Sequence, residues 1–241
     1  MAATQNPYLE PLSLKDVPAL IERAFPAQKV SAEAQKERKA NLGQTLTGLG
    51  SYWKGRKPLI MVRAVVLASL LPVTEDVEAD LDIFEKLMAM DDAAFGRREP
   101  KISPREIAEM FSLYTPWAFF DFTISGDDLD EDDVLDLSFP IHRDDFPGLN
   151  IRWKRGLDAD AKASVLAQAM ADMAYEDKVA MTRRPEEVDP DTLYGPIWSE
   201  VNAHLGRFGI EAQSHEEVVE QLGILRYGHR PRVGDTFCGG G

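Results

Sequence analysis

The sequence has one cysteine, Cys238. An internal disulfide framework is therefore excluded, and so is a cysteine-rich zinc site. It also lacks any apolar run of the roughly 18 residues that a membrane-spanning helix needs. The longest such stretch, Leu59 to Leu71, is interrupted by Arg63. Met1 to Pro11 holds no basic segment followed by an apolar one. No signal peptide is expected, so the expectation is a cytoplasmic protein with no membrane partner. Histidine is scarce, and His142, His204, His215 and His229 lack the spacing of metal ligands. They are expected as surface or capping residues, with no metal bound. Positive charge is also in deficit: 27 Lys and Arg face 41 Asp and Glu, for a net charge of −14. Taken alone, that argues against general affinity for nucleic acid, because phosphate binding relies on cations. The charge is uneven, however. Acids crowd Asp127 to Asp136, while basic residues gather at Lys54, Arg56 and Lys57 and again at Arg226, His229, Arg230 and Arg232. Net charge therefore does not decide the partner.

What is present is ordinary for a globular chain. At 241 residues, 44% hydrophobic and 28% charged, it can bury a core in one or two domains. Ser13 can cap a short helix through about Ala24, with Leu14, Val17, Leu20 and Ile21 on one face and Pro26 as its stop. Ser31 opens a mostly charged helix, expected to be exposed or bridging. Asn41 to Gly55 is glycine-rich. Pro58 to Leu71 reads as a helix that is apolar nearly all round, hence a central core helix. Thr74, followed by acids, starts a helix to about Asp91 with Val77, Leu81, Phe84 and Met88 on one face. Ser103-Pro104 starts another, to about Phe111. Tyr114 to Ile124 is aromatic and reads as a buried strand or irregular core segment. The acid run and the residues after it, to Asn150, read as loop, and Ile151 to Trp153 as a short strand. Asp158 to about Met181 reads as one long alanine-rich helix. A further helix lies within Asp191 to Leu205, with Ile197, Val201 and Leu205 inward. Ser214 caps a last short helix carrying Val218, Val219 and Leu222. No internal repeat is present.

Two stretches carry chemistry. Val233 to Cys238 reads as a strand and Gly239-Gly240-Gly241 as a tight turn that lets backbone approach a ligand closely. Three glycines by themselves are equally a frayed tail. The residues before them change the balance: Asp235-Thr236-Phe237-Cys238-Gly239-Gly240-Gly241 resembles the cofactor-binding motif of DNA amino-methyltransferases, with Thr236 in place of the usual proline. Upstream, Tyr52-Trp53-Lys54-Gly55-Arg56-Lys57-Pro58-Leu59, with Val62-Arg63 after it, resembles a second stretch of those enzymes. Its aromatics offer a stacking surface, and its cations suit a carboxylate or phosphate. Tyr52 and Trp53 also suit a role as core anchors, and the cations suit an exposed rim. Arg63 is suited equally to a cofactor or DNA phosphate and to a structural ion pair.

The two stretches together, in this order, resemble the N-terminal part of DUF1156-type adenine-specific DNA methyltransferases of bacterial anti-phage and restriction-like loci. The resemblance spans residues 40–241. It implies S-adenosylmethionine as cofactor and DNA as partner, with defence-system proteins as further partners. It places Asp235, Phe237, Gly239, Gly241, Tyr52 and Trp53 at the cofactor and Lys54, Arg56 and Lys57 near cofactor or DNA. The implied fold is mainly α here, leading into the first strand of a Rossmann-like α/β methyltransferase domain. The implied organisation is an N-terminal helical arm over 1–40, a cofactor-pocket loop and core helix over 41–71, a helical insert over 72–229, and the first strand and glycine loop over 230–241.

The sequence departs from that family in one respect that bears on mechanism. Amino-methyltransferases hold a flipped base with a polar-Pro-Pro-aromatic tetrad, and none occurs here. Tyr114-Thr115-Pro116-Trp117 shares only its last two positions. The expectation is thus a truncated chain or a broken reading frame, inactive alone, with no catalytic residue of its own. Cys238 is expected as a small packing residue, since no base is spaced to activate it. Asp128, Asp130 and Asp132 echo a calcium loop. But Asp133 stands where glycine is required and Phe139 where the bidentate glutamate belongs, so a solvated loop is expected. The competing expectation is a non-enzymatic helical interaction module of a defence complex, with the acid run as its electrostatic handle. A DNA mimic would need ordered carboxylates at phosphate-like spacing, and one acidic run gives that poor support.

Overall fold

The structure, a computed structural model, describes residues 9–40, 58–110, 115–135, 137, 140–141 and 146–232. They form two compact units, divided after Asp91 and before Asp189. The expected insert over 72–229 is therefore shared: residues 72–91 and 189–229 pack with the N-terminal helices, and 92–188 stand as a unit of their own.

The first unit begins with a turn, and its first helix is shorter than expected, α1 at Leu20–Arg23. Pro18 explains this, since it has no N–H and its ring obstructs a continuing helix. The Pro18 carbonyl instead accepts the Val73 N–H at 3.0 Å, and the Leu20 N–H donates to the Leu71 carbonyl at 2.9 Å. Leu14 and Leu20 are buried as expected, whereas Ile21 is exposed. Helix α2, Ala27–Ala40, starts directly after Pro26, a position where proline is well tolerated. It is neither exposed nor bridging, because Val30, Glu33 and Ala34 are buried and it packs along α3, Leu59–Leu70. Helix α3 is not a core helix on all sides. Ile60, Ala64, Leu67, Ala68 and Leu70 face inward, but Leu59, Val62 and Val65 are 46%, 44% and 42% exposed.

Helix α4, Val77–Leu87, is capped by Asp76, whose carboxylate accepts the Ala79 N–H at 3.0 Å. Thr74, the expected start, bonds Asp80 instead. Phe84 and Met88 are buried as expected, whereas Val77 and Leu81 are half-buried and Asp80, Ile83 and Leu87 complete the buried side. Drawing the Asp80 carboxylate inward rotates the helix. The helix stops at Leu87 because Ala89 adopts φ 54°, a left-handed conformation that ends a helix.

The second unit opens with α5, Asp92–Arg97, a short helix that follows Asp91, a favoured N-cap type, and that is not among the expected helices. Helix α6, Pro104–Met110, starts as expected. Strand β1, Phe120–Ile124, pairs antiparallel with β2, Asp127–Asp128, through a tight Ser125-Gly126 turn in which both residues have positive φ, the geometry that matches strand twist. The acid run is therefore not simply loop: it continues into α7, Glu131–Leu135. Asp130 and Asp133 cap that helix reciprocally. Strand β3, Leu149–Trp153, completes the sheet in the order β2-β1-β3.

The expected long helix over 158–181 is two helices, α8 at Ala159–Ala169 and α9 at Tyr175–Met181. No breaking residue separates them. The Lys178 ammonium, buried on α9, reaches back to the Ala171 carbonyl at 3.0 Å and to Asp92 at 2.8 Å, which fixes the reversal. Gly96 lets α5 lie directly on α8: a Cβ there would sit 2.0 Å from the Ala163 carbonyl oxygen.

The chain then rejoins the first unit through α10, Pro190–Tyr194, α11, Trp198–Leu205, and α12, His215–Tyr227. Ile197, Val201 and Leu205 are buried as expected, as are Val218 and Leu222 below the Ser214 cap. The described chain is mainly helical. Its only sheet, among the described residues, is antiparallel. The step into a Rossmann-like domain falls on 233–241, outside the described residues. No described helix is long and apolar enough to cross a membrane.

Candidate functional site

Tyr52, Trp53, Lys54, Arg56, Lys57, Asp235, Phe237, Gly239 and Gly241 all lie outside the described residues, as do His142 and Tyr114. The structure describes the framework that flanks them. Pro58 is buried and leads into α3. The start of α3 is capped from α2: the Glu37 carboxylate accepts the Leu59 N–H at 2.8 Å and the Ile60 N–H at 3.1 Å. An anion here satisfies two orphan donors and meets the positive end of the helix dipole. Glu37→Ala should cost about 1–2 kcal/mol, read as a lower urea midpoint at unchanged slope. Loss below a few tenths would reject the cap.

The end of α3 is held by Arg226. Its guanidinium is buried and donates to the carbonyls of Leu70, Leu71, Leu14, Val17 and Pro18. Burial lowers its pKa from the usual arginine value, yet an arginine stays charged in a protein. The basic group expected at 226–232 is thus not one surface. Arg226 is interior, and Arg230 pairs with Glu220 at 2.7 Å. Beyond α12, Gly228 takes the left-handed C-cap at φ 76°. Pro231 then lies on Gly223, where a Cβ would meet its ring at 2.2 Å, so the chain doubles back along α12.

The described histidines serve structure. His204 Nε2 bonds the buried Asp80 carboxylate at 2.8 Å, which also accepts the Thr74 N–H and hydroxyl. His204 Nδ1 faces Arg207 at 3.3 Å. With both ring nitrogens engaged, His204 ties α4 to α11 and is not poised as a base. His215 Nε2 meets the Leu87 carbonyl at 2.7 Å, and its ring stands edge-on to Tyr194 and Trp198. Burial lowers its pKa and the Arg63 charge adds to this, against the hydrogen bond to Leu87. A histidine held neutral in the fold charges more readily once unfolded. The unfolded chain therefore takes up more protons as pH falls below about 6.5, and stability present above that value is lost. Wild type should lose more stability than His215→Gln between about pH 7.5 and pH 5. Parallel losses would remove His215 as the cause.

Arg63 is exposed on α3. No cluster of three or more His, Cys, Asp or Glu side chains is arranged to hold a metal among the described residues. The calcium-like Asp128, Asp130 and Asp132 belong to the hairpin and to α7 with its cap.

Two clefts remain. One, between α2 and α3, has about 170 Å³ and is lined by Ser31, Ala34, Gln35, Arg38, Pro58 and Met61. That is below the about 300 Å³ at which small-molecule sites begin, so this cleft alone is too small for S-adenosylmethionine. The other, in the second unit, has about 620 Å³.

Residues 24–87 match the model of a family described as "Protein of unknown function (DUF1156)". The match supports the DUF1156 family. It covers roughly a quarter of the chain, and its described part holds α2, α3 and α4. The DUF1156 segment thus lies wholly in the first unit and includes Glu37 and the helix it caps. No curated protein and no solved structure matches the chain. Sequence reasoning missed Glu37, Asp80 and Arg226. For Arg226 a signal existed, since it follows the buried Leu222 at the i+4 position on α12.

Proposed function

We propose that this chain is the N-terminal part of an S-adenosylmethionine-dependent DNA methyltransferase acting on adenine N6 in a bacterial anti-phage or restriction-like system. The observation that supports it most is how the helices flanking the two motifs are joined. Helix α3 follows the Tyr-Trp stretch, and α12 precedes the glycine segment. The two helices pack together and run the same way. Arg63 acts on His215 near their starts, and Arg226 grips Leu70 and Leu71 near their ends. Pro231 lies back on Gly223.

On this reading Asp235, Phe237, Gly239 and Gly241 surround the methionine part of the cofactor. Tyr52 and Trp53 give a stacking surface, and Lys54, Arg56 and Lys57, with Arg63, meet carboxylate or phosphate. The cofactor, when bound, supplies the methyl group. No residue of this chain is assigned a catalytic role. The test is transfer of labelled methyl from S-adenosylmethionine to DNA by a version that includes the coding sequence downstream. The label should be recovered as N6-methyladenine. Absence of label over duplexes of varied sequence would sink the reading.

A second reading, a non-enzymatic interaction module, draws on the exposed Leu59, Val62 and Val65 of α3. It predicts that Val62→Asp abolishes partner capture and that no version of the protein binds the cofactor.

A further inference from the structure

The second unit enters at Asp92 and leaves at Val188, and the two ends of that segment are bonded to each other. Helix α5 ends at Arg97. Glu99 then adopts φ 48°, a left-handed conformation that residues other than glycine seldom take. The turn lays residues 98–101 against residues 181–183. The Arg183 N–H donates to the Arg98 carbonyl at 2.8 Å, and the Lys101 N–H to the Met181 carbonyl at 2.9 Å. The Arg98 Nε donates to the Arg183 carbonyl at 2.8 Å. Glu99 pairs with Arg183 at 2.8 Å, and Asp92 with Lys178 at 2.8 Å.

The neck includes buried groups. Arg98 is fully buried, and its guanidinium lies over the Phe95 ring at 4.8 Å. Thr182 is buried, and its hydroxyl donates to the Lys178 carbonyl at 2.8 Å. A buried cation is costly once its acceptors are lost, so parting the two ends is opposed. Between them the chain forms α6 to α9 and the sheet. Bringing the ends of so long a loop together costs conformational entropy, and the bonds that offset this lie within the segment itself. Contiguous, self-bonded segments are the ones that open as cooperative units, and domain boundaries fall where few contacts cross.

We propose that this neck is a clasp that makes the second unit a separately opening body. The unit unfolds and refolds as one while α3, α4, α11 and α12 stay folded. Those helices, and the DUF1156 segment with them, belong to the first unit. The framework that flanks the two motifs therefore keeps its packing when the second unit opens. Arg98 holds the clasp, because its side chain and its carbonyl both bond Arg183. Failure of the methyltransferase reading would leave the clasp unaffected, since the clasp is read in amide exchange and not in cofactor binding.

The experiment is hydrogen exchange of the whole chain, read by mass spectrometry of its peptides across increasing urea. In wild type, peptides of α5, α6, β1, β3, α8 and α9 should lose protection together. Peptides of α3, α4, α11 and α12 should lose it together at a different urea concentration. Arg98→Met should speed exchange in the first set by about 10- to 100-fold, as loss of hydrogen bonds from a buried cation gives, and leave the second set within about twofold. Lys178→Met, which releases Asp92 and the Ala171 carbonyl, should act on the same set. Circular dichroism identifies a variant that does not fold, and the wild-type separation stands as a readout independent of both. One transition shared by the two sets in wild type, or equal acceleration of both sets in a folded variant, would overturn the proposal.

Discussion

Arg226→Met is expected to unfold the first unit. The side chain is nearly isosteric with the arginine stem, so the loss is not one of packing. It removes a donor from five carbonyl oxygens, those of Leu14, Val17 and Pro18 in the N-terminal segment and of Leu70 and Leu71 at the end of α3, of which Leu14, Pro18 and Leu71 each keep a backbone N–H. One planar fork of donors thus ties together segments that are distant in sequence, alongside the backbone bonds that join them. A buried acceptor left without a donor costs about 1–3 kcal/mol. The loss should be about 3–5 kcal/mol, comparable with breaking a buried charged network. That is a large share of the about 5–15 kcal/mol that stabilises a typical domain. Arg226→Lys should fall between the two, because an ammonium keeps the charge but not the fork. Urea unfolding, followed by tryptophan fluorescence and circular dichroism, measures both. A methionine variant within about 1 kcal/mol of wild type would show that the carbonyls find other partners.

Gly96→Ala should damage the second unit almost as severely. In an ordinary helix this change gains about 1 kcal/mol. Here the added methyl would lie 2.0 Å from the Ala163 oxygen and 2.9 Å from its carbonyl carbon. Both atoms are backbone of α8, so no rotamer change relieves the clash, and α5 and α8 must separate. Overpacking of this kind costs about 3 kcal/mol, which exceeds the propensity gain. Gly195→Ala is the control. It has right-handed helical backbone with nothing within 4 Å of the new methyl, so it should gain about 0.4–1 kcal/mol. Equal effects at the two positions would refute the close approach.

The contrast between these residues and the helix starts shows what a sequence can carry. Ser103-Pro104 and Ser214 mark helix starts through local chemistry, and α6 and α12 begin there. Ile151 to Trp153 lies within β3. The features that differ from expectation depend on distant partners. The phase of α4 is set by Asp80, whose inward turn answers His204 on α11. The gap between α8 and α9 has no breaker and comes from where Lys178 finds Asp92. Helix α3 has the composition of a core helix, but composition does not say which side has a neighbour. For the candidate site, the motifs read at 52–57 and 235–241 lie outside the described residues, and the structure describes the helices next to them in sequence, α2, α3 and α12.

The central claim, a cofactor site assembled from those two stretches, is tested most directly by calorimetry with S-adenosylmethionine. This chain and a version carrying the coding sequence downstream are titrated side by side. Saturable binding by the longer version, abolished by Asp235→Ala and weakened by Arg56→Glu, is the predicted result. No binding by either chain, with both shown to be folded, would contradict it.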